Sequence, residues 1–183
     1  MNRWLVPLLM MGFLLSLMGI KNPSIAQGRR EEVDLSKSPC SHCLWLIPTG
    51  QSNRLGNPLY LLQVYYQKQL IYSFETVSGR HYTQDRNRHR AGTEAPLPDG
   101  QYSINRYSVP GTIAEVGGRF IEISPRFRTG RSALGIHYDP SYNKSNGEDG
   151  TSGCIGLTNR RDFEQLRRFI EVYPPQFLLV DIQ

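Results

Sequence analysis

The chain has 183 residues, 39% of them hydrophobic and 20% charged, with a formal net charge of +5 at neutral pH. That length suits one ordinary domain plus a targeting segment and is too short for two sizeable cores. The composition excludes a disordered chain and a polytopic membrane protein, and the modest basic excess does not by itself identify a partner.

Arg3 opens the chain, and an apolar run over residues 5–20 ends at Lys21. Small residues follow at Ser24 and Ala26, the pattern of a cleaved export signal over 1–26 with Gln27 as the first mature residue. The run is shorter than a membrane span requires. The expected location is outside the cytoplasm, in the periplasm or at the cell surface, with membrane contact only through the export segment. Residues 27–57 read as a leader or linker. They carry Arg29-Arg30-Glu31-Glu32, Pro39, Pro48, Gly50 and Gly56, with one short apolar piece at 44–47 that can add an edge strand. The folded domain is expected over 58–183.

The three cysteines are Cys40, Cys43 and Cys154. In an oxidising compartment an odd thiol stands out. Cys40 and Cys43 are spaced to close a small local disulfide, which leaves Cys154 free. A zinc reading of Cys40, His42 and Cys43 lacks a second ligand pair, and a redox reading lacks a βαβ context. No metal and no cofactor is expected.

Residues 59–65 have strand character, Gln67-Lys68 turns the chain, and 70–74 returns as the second arm of a hairpin. Residues 79–98 are polar and basic and read as a long surface loop, either facing substrate or simply solvated. They lack the interleaved aromatics of a nucleic-acid platform, so no nucleic-acid partner is expected. Pro98-Asp99-Gly100 turns into a strand over 102–107. Residues 112–116 and 119–123 flank Gly117-Gly118 as a second hairpin. A strand over 132–137 leads into a polar Gly/Asn-rich loop over 139–150. Asn159 caps a helix whose apolar face is Phe163, Leu166, Phe169 and Ile170, and Pro174-Pro175 ends it. A last strand covers 177–182. The fold class is mainly β (α+β), with one principal helix.

One constellation carries chemistry. His137 ends a strand, a loop follows, and Cys154 then sits in the small-residue turn Thr151-Ser152-Gly153-Cys154-Ile155-Gly156. A thiol nucleophile needs a base or a positive neighbour, and His137 is the only histidine after position 89. Gly153 leaves room for a carbonyl to approach the sulfur, and the amides of Gly153 and Cys154 are placed to bind an oxyanion. A buried inert cysteine and a merely structural histidine are the alternatives.

The segment from His137 to Leu157 resembles the active-site signature of the YkuD-type L,D-transpeptidase domain. In that family a histidine is followed, after a loop of similar length, by Ser/Thr-His-Gly-Cys, an aliphatic residue and then commonly Arg or Asn. The hairpin around Gln67, residues 77–79 and the stretch from Ala95 to Ile104 resemble the family's opening strands and its Thr-Pro-x-Gly stretch, so the resemblance spans about residues 59 to 183. It implies a β-sandwich of mixed sheets with the principal helix after the cysteine. It also implies acyl transfer on peptidoglycan peptide stems, with Cys154 as nucleophile and His137 as base, through a thioester and release of D-alanine. Hydrolysis by the same machinery, as an L,D-carboxypeptidase or endopeptidase, and a non-catalytic wall-binding module remain as alternatives. Three positions depart from the family pattern. Ser152 replaces a second histidine, Gly156 replaces the Arg or Asn, and Tyr138 follows His137 where a small residue is common. Arg128, Arg131, Arg160 and Arg161 are the cations available to replace the missing anchor, with Arg131 and Arg160 preferred. Asp139 either orients the imidazole or opens the loop.

Overall fold

The computed structural model describes residues 40–183; the export signal expected over 1–26 and the charged cluster at 29–32 lie outside the described residues. Nine strands and one helix make up the regular structure of that region: β1 (His42–Ser52), β2 (Pro58–Tyr66), β3 (Gln69–Val77), β4 (Gly100–Ile104), β5 (Val109–Pro110), β6 (Arg119–Pro125), β7 (Leu134–Tyr138), β8 (Ile155–Leu157), α1 (Arg160–Val172) and β9 (Leu178–Val180).

Eight of the strands close on themselves. The order runs β4-β9-β1-β2-β3-β8-β7-β6, and β4 pairs back onto β6. Two pairings are parallel, β1 with β9 and β7 with β8, and the rest are antiparallel. The expected sandwich of separate sheets is therefore corrected to one closed mixed sheet, a barrel. The reason lies in β4. It bonds β9 through Gly100–Tyr102 and β6 through Tyr102–Ile104, and so joins what would otherwise be two edges.

The part of the expected leader that forms β1 is also corrected, because that strand is central. Its residues Leu44 and Leu46 are fully buried, and it lies between β2 and β9 rather than at an edge. Burial alternates along this strand only at 44–47, and the run is interrupted by Pro48 and Gly50, which hides its length from a sequence reading. Cys40 and Cys43 are disulfide-bonded at its start, which leaves Cys154 as the free cysteine. The first hairpin is as expected. Its turn residues Gln67 and Lys68 both take positive φ (52° and 66°), the geometry of a tight two-residue loop made with an unfavourable dipeptide.

The second hairpin differs from expectation. Residues 114–116 form a 3-10 turn, not a strand, and the arm pairing with β6 is the two-residue β5. Gly117 adopts φ 61° and closes that turn with its amide on the Ala114 carbonyl. A Cβ at Gly111 would overlap the Val116 side chain, so the glycine lets the turn fold inward.

Helix α1 starts as the sequence predicts, with the Asn159 side chain accepting from the Arg161 amide at 2.8 Å. Phe163, Leu166 and Ile170 are buried, and the helix packs against β7 and β8. They join a core built from Leu44, Leu62, Val64, Leu97, Tyr102, Ile136, Ile155 and Leu157. Truncating a fully buried leucine removes its transfer energy and leaves a cavity. Leu166→Ala is expected to lower stability by about 2–5 kcal/mol, measured by denaturant unfolding; a loss under about 1 kcal/mol would show that the helix contributes little to this core.

Candidate active site

The parallel register of β7 and β8 places the candidate thiol and imidazole. Ile136 pairs with Ile155 and His137 with Gly156, so Cys154 lies beside Gly135. Side chains alternate along strands and paired residues share a face. His137 and Cys154 therefore point to the same side of the barrel wall, two positions apart.

His137 is fully buried. Its Nδ1 lies 3.0 Å from the Tyr138 carbonyl, which can only accept, so Nδ1 carries the proton. Nε2 keeps its lone pair and has no partner. Burial holds the imidazole below its ordinary pKa, and the neutral form prevails at neutral pH. The ring lies near-parallel to Phe120, its cross-strand partner on β6, at 6.4 Å between centroids. Gly135 makes room for Phe120, since a Cβ there would come within 2.3 Å of the phenyl Cζ.

Cys154 is also buried, and its Sγ points toward the Ala133 carbonyl at 3.9 Å. Burial pushes the thiol up to about 11. The Gly135 amide and the Arg131 guanidinium pull it down, and the Glu115 carboxylate pushes it up. At rest the pair is thus a thiol and a neutral imidazole, not an ion pair.

The cysteine opens onto a cavity of about 280 Å³. Arg131, Glu115, Ser152, Phe120 and Ala133 are among the residues that line it. Arg131 is buried and donates only to carbonyls: Ala95 at 3.1 Å, Ser152 at 3.2 Å and Arg88 at 3.3 Å. No carboxylate among the described residues forms an ion pair with it. Burial lowers its pKa, and it faces the thiol as an unneutralised cation.

The remaining expected residues fall out as follows. Gly153 takes φ +104°, and the room beside it is filled by Arg131, whose Nη2 would lie 1.9 Å from a Cβ. Its amide donates to the Thr151 hydroxyl at 3.2 Å. Ser152 gives both its amide and its hydroxyl to Glu115. Asp139 does not hydrogen-bond the imidazole; it accepts from the Ser141 and Gly150 amides and organises the loop after β7. Arg160 is exposed and lies over the Tyr138 ring at 4.8 Å. Arg161 lines a separate groove beside Tyr72 and Phe169, and Arg128 is exposed.

Sequence reasoning missed Glu115, which sits in the stretch read as a strand. It also missed the depth of Thr151, whose fully buried hydroxyl donates to the Cys154 carbonyl at 2.8 Å and accepts from the Gly79 amide at 3.2 Å. The position of Thr151 in the small-residue turn was the available signal.

The family model for the L,D-transpeptidase catalytic domain, YkuD, matches residues 57–175. The chain belongs to that family, whose members are typically cysteine L,D-transpeptidases acting on peptidoglycan stems. An L,D-transpeptidase-like, peptidoglycan-modifying activity follows at that level. No curated protein and no solved structure matches the chain.

Two measurements check these electrostatics. With its thiol near 11, Cys154 should show an iodoacetamide alkylation rate still rising through pH 10. Glu115→Gln removes a charge that raises the thiol pKa, and should speed alkylation at pH 8 by about 3- to 10-fold. A wild-type plateau near pH 8.5 would contradict the burial assigned here.

Asp139 is the second case. Burial, the largest cause, raises its carboxyl from 3.8 to about 6. A folded-state pKa above the unfolded one favours the protonated form. Its contribution is therefore complete below about pH 3.8 and is lost as pH rises through about 6. The stability of the wild type relative to Asp139→Asn is expected to fall by up to about 3 kcal/mol between pH 4 and 7, read from paired unfolding curves. A pH-independent difference would refute the shift.

Proposed function

We propose that the protein is an exported peptidoglycan L,D-transpeptidase in which Cys154 is the nucleophile and His137 the general base. The observation that carries this reading is the pairing of a free thiol at a cavity with a neutral imidazole whose Nε2 is buried without a partner on the same face. An unpartnered buried nitrogen is costly and calls for a role. Accepting the thiol proton supplies one. The Cys40–Cys43 disulfide supports residence outside the cytoplasm, in the periplasm or at the cell surface.

In this reading the Cys154 sulfur turns from the Ala133 carbonyl and attacks the carbonyl of the third residue of a tetrapeptide stem. Its proton passes to His137 Nε2. The tetrahedral intermediate collapses as the C–N bond to the terminal D-alanine breaks, and His137 returns the proton to the leaving amine. A thioester remains. An amine from a second stem attacks it, gives its proton to His137, and the sulfur leaves to be reprotonated. Arg131 stabilises the anionic sulfur at both stages. The Tyr138 carbonyl keeps the imidazole in the tautomer the step requires. Water in place of the amine would give a carboxypeptidase.

Wild-type protein incubated with tetrapeptide muropeptides is expected to release D-alanine and to form dimers, with an acyl adduct on Cys154 visible by intact-mass analysis. Cys154→Ala should abolish release. His137→Gln should reduce it by about 100-fold or more while leaving the fold intact. Undiminished release from Cys154→Ala would sink the proposal; tripeptide products without dimers would reassign the acceptor to water.

A further inference from the structure

Beside the thiol lies a second arrangement that the acyl-transfer chemistry does not use. Glu115, on the 3-10 turn before β6, reaches across the cavity. One carboxylate oxygen accepts from the Ser152 amide at 2.5 Å and the other from the Ser152 hydroxyl at 2.8 Å. The Arg80 Nη2 stands 3.7 Å from the second oxygen. An amide N–H, a hydroxyl and a guanidinium converging on one point form a carboxylate-binding set.

That set is not saturated. The Arg80 side chain is only 9% exposed, and its Nε and Nη1 are buried without hydrogen-bond partners. Glu94 comes no closer than 3.7 Å. Buried guanidinium donors without acceptors are costly. Glu115 reaches only one edge of the fork, so a better-placed carboxylate has bonds to gain. The turn that brings Glu115 in is lightly anchored. It connects to the two-residue strand β5, and its neighbour Ile113 is 60% exposed.

We propose that Ser152 and Arg80 form a subsite for a carboxylate of the substrate, and that Glu115 fills it in the free protein as an internal stand-in. The ligand class is a peptide ending in a free α-carboxylate next to the bond that Cys154 opens. This rests on the proposed reaction, in which the leaving residue is the C-terminal one. Ser152, which stands where the family has a histidine, then contributes to substrate recognition through its N–H and O–H. Binding requires Glu115 to withdraw. Withdrawal exchanges the Glu115 carboxylate for that of the ligand on the same donors, so the negative charge at this point is kept when the subsite fills.

The test is direct binding of a minimal carboxylate, N-acetyl-D-alanine, to the full chain, followed by NMR through the Ser152 amide resonance. Glu115→Ala should bind it saturably and at least about tenfold more tightly than the wild type, with a shift of that amide. The uncharged N-acetyl-D-alaninamide should produce no such shift. Adding Arg80→Gln to Glu115→Ala should return affinity to the wild-type level. Glu115→Gln, which keeps the side-chain volume, should show a smaller gain and guards against misfolding of the alanine variant. Equal affinity in wild type and both Glu115 variants, or equal binding of the amide, would overturn the subsite. Release of D-alanine by the wild type is read separately. Its persistence alongside absent carboxylate binding would remove the subsite and leave the reaction standing; the reverse result would remove the reaction and leave the subsite.

Discussion

Everything at the site depends on the parallel pairing of β7 with β8. Parallel neighbours cannot be joined by a tight turn, and the usual solution is a helical crossover. Here the connection is an irregular polar loop, and its shape is held by buried polar contacts in place of an apolar helix face. Asp149 accepts from Asn53 at 2.8 Å, from Asn57 at 2.5 Å and from the Asn143 amide at 2.5 Å. Asp139 accepts from Ser141 and Gly150, and its own amide donates to the Leu157 carbonyl. The loop after β1 and the loop after β7 thus brace each other. That bracing sets the register that brings Cys154 onto the face of His137.

Burial dominates the electrostatics here, and it acts against either the Cys154 thiol or the His137 imidazole being charged. It raises the thiol and lowers the imidazole. A preformed thiolate–imidazolium pair would have to be desolvated at a cost of several kcal/mol per ion. In the proposed reaction, keeping both partners neutral avoids that cost until a substrate is present. Arg131 is the counterweight. Its hydrogen bonds go to backbone carbonyls, so its charge is not cancelled by a carboxylate, and in the proposed reaction it serves the developing sulfur anion. Glu115, which lines the same cavity, opposes it. The thiol sits between one cation fixed by the backbone and one anion carried on a lightly anchored turn.

Much of this was legible in the sequence where local pattern and structure agree. The hairpin of β2 and β3, the Asn159 cap and the helix face of Phe163, Leu166 and Ile170 follow from strand composition, capping chemistry and periodicity. So does the free thiol, from cysteine count and context. What was not legible depends on long-range closure. A strand such as β1, interrupted by Pro48 and Gly50, looks like linker until β9 and β2 are seen on either side of it. Strand β8 is only three residues long and carries no alternation, since all three are buried. Residues 112–116 have strand composition, but Gly111 and Gly117 allow a tighter turn. Glu115 is drawn inward by Ser152, some forty positions away, which no local window reports.

The glycines of the motif show what space two of the departures from the family pattern occupy. At position 156, opposite His137, a Cβ would lie 2.7 Å from Thr151 Cγ2 and 3.0 Å from Asp139 Cβ. No longer side chain fits there without moving the two residues that hold the loop. The cation near the sulfur comes instead from the segment before β7, as Arg131, and it needs the empty space beside Gly153 to reach across. Arg131 then takes the Ser152 carbonyl, while the Ser152 amide and hydroxyl turn toward Glu115. A bulky ring in place of Ser152 would have to share that cavity with Glu115. Arg131, Ser152 and Glu115 are thus mutually dependent choices of volume and charge, so a histidine at position 152 would disturb the contacts of the other two.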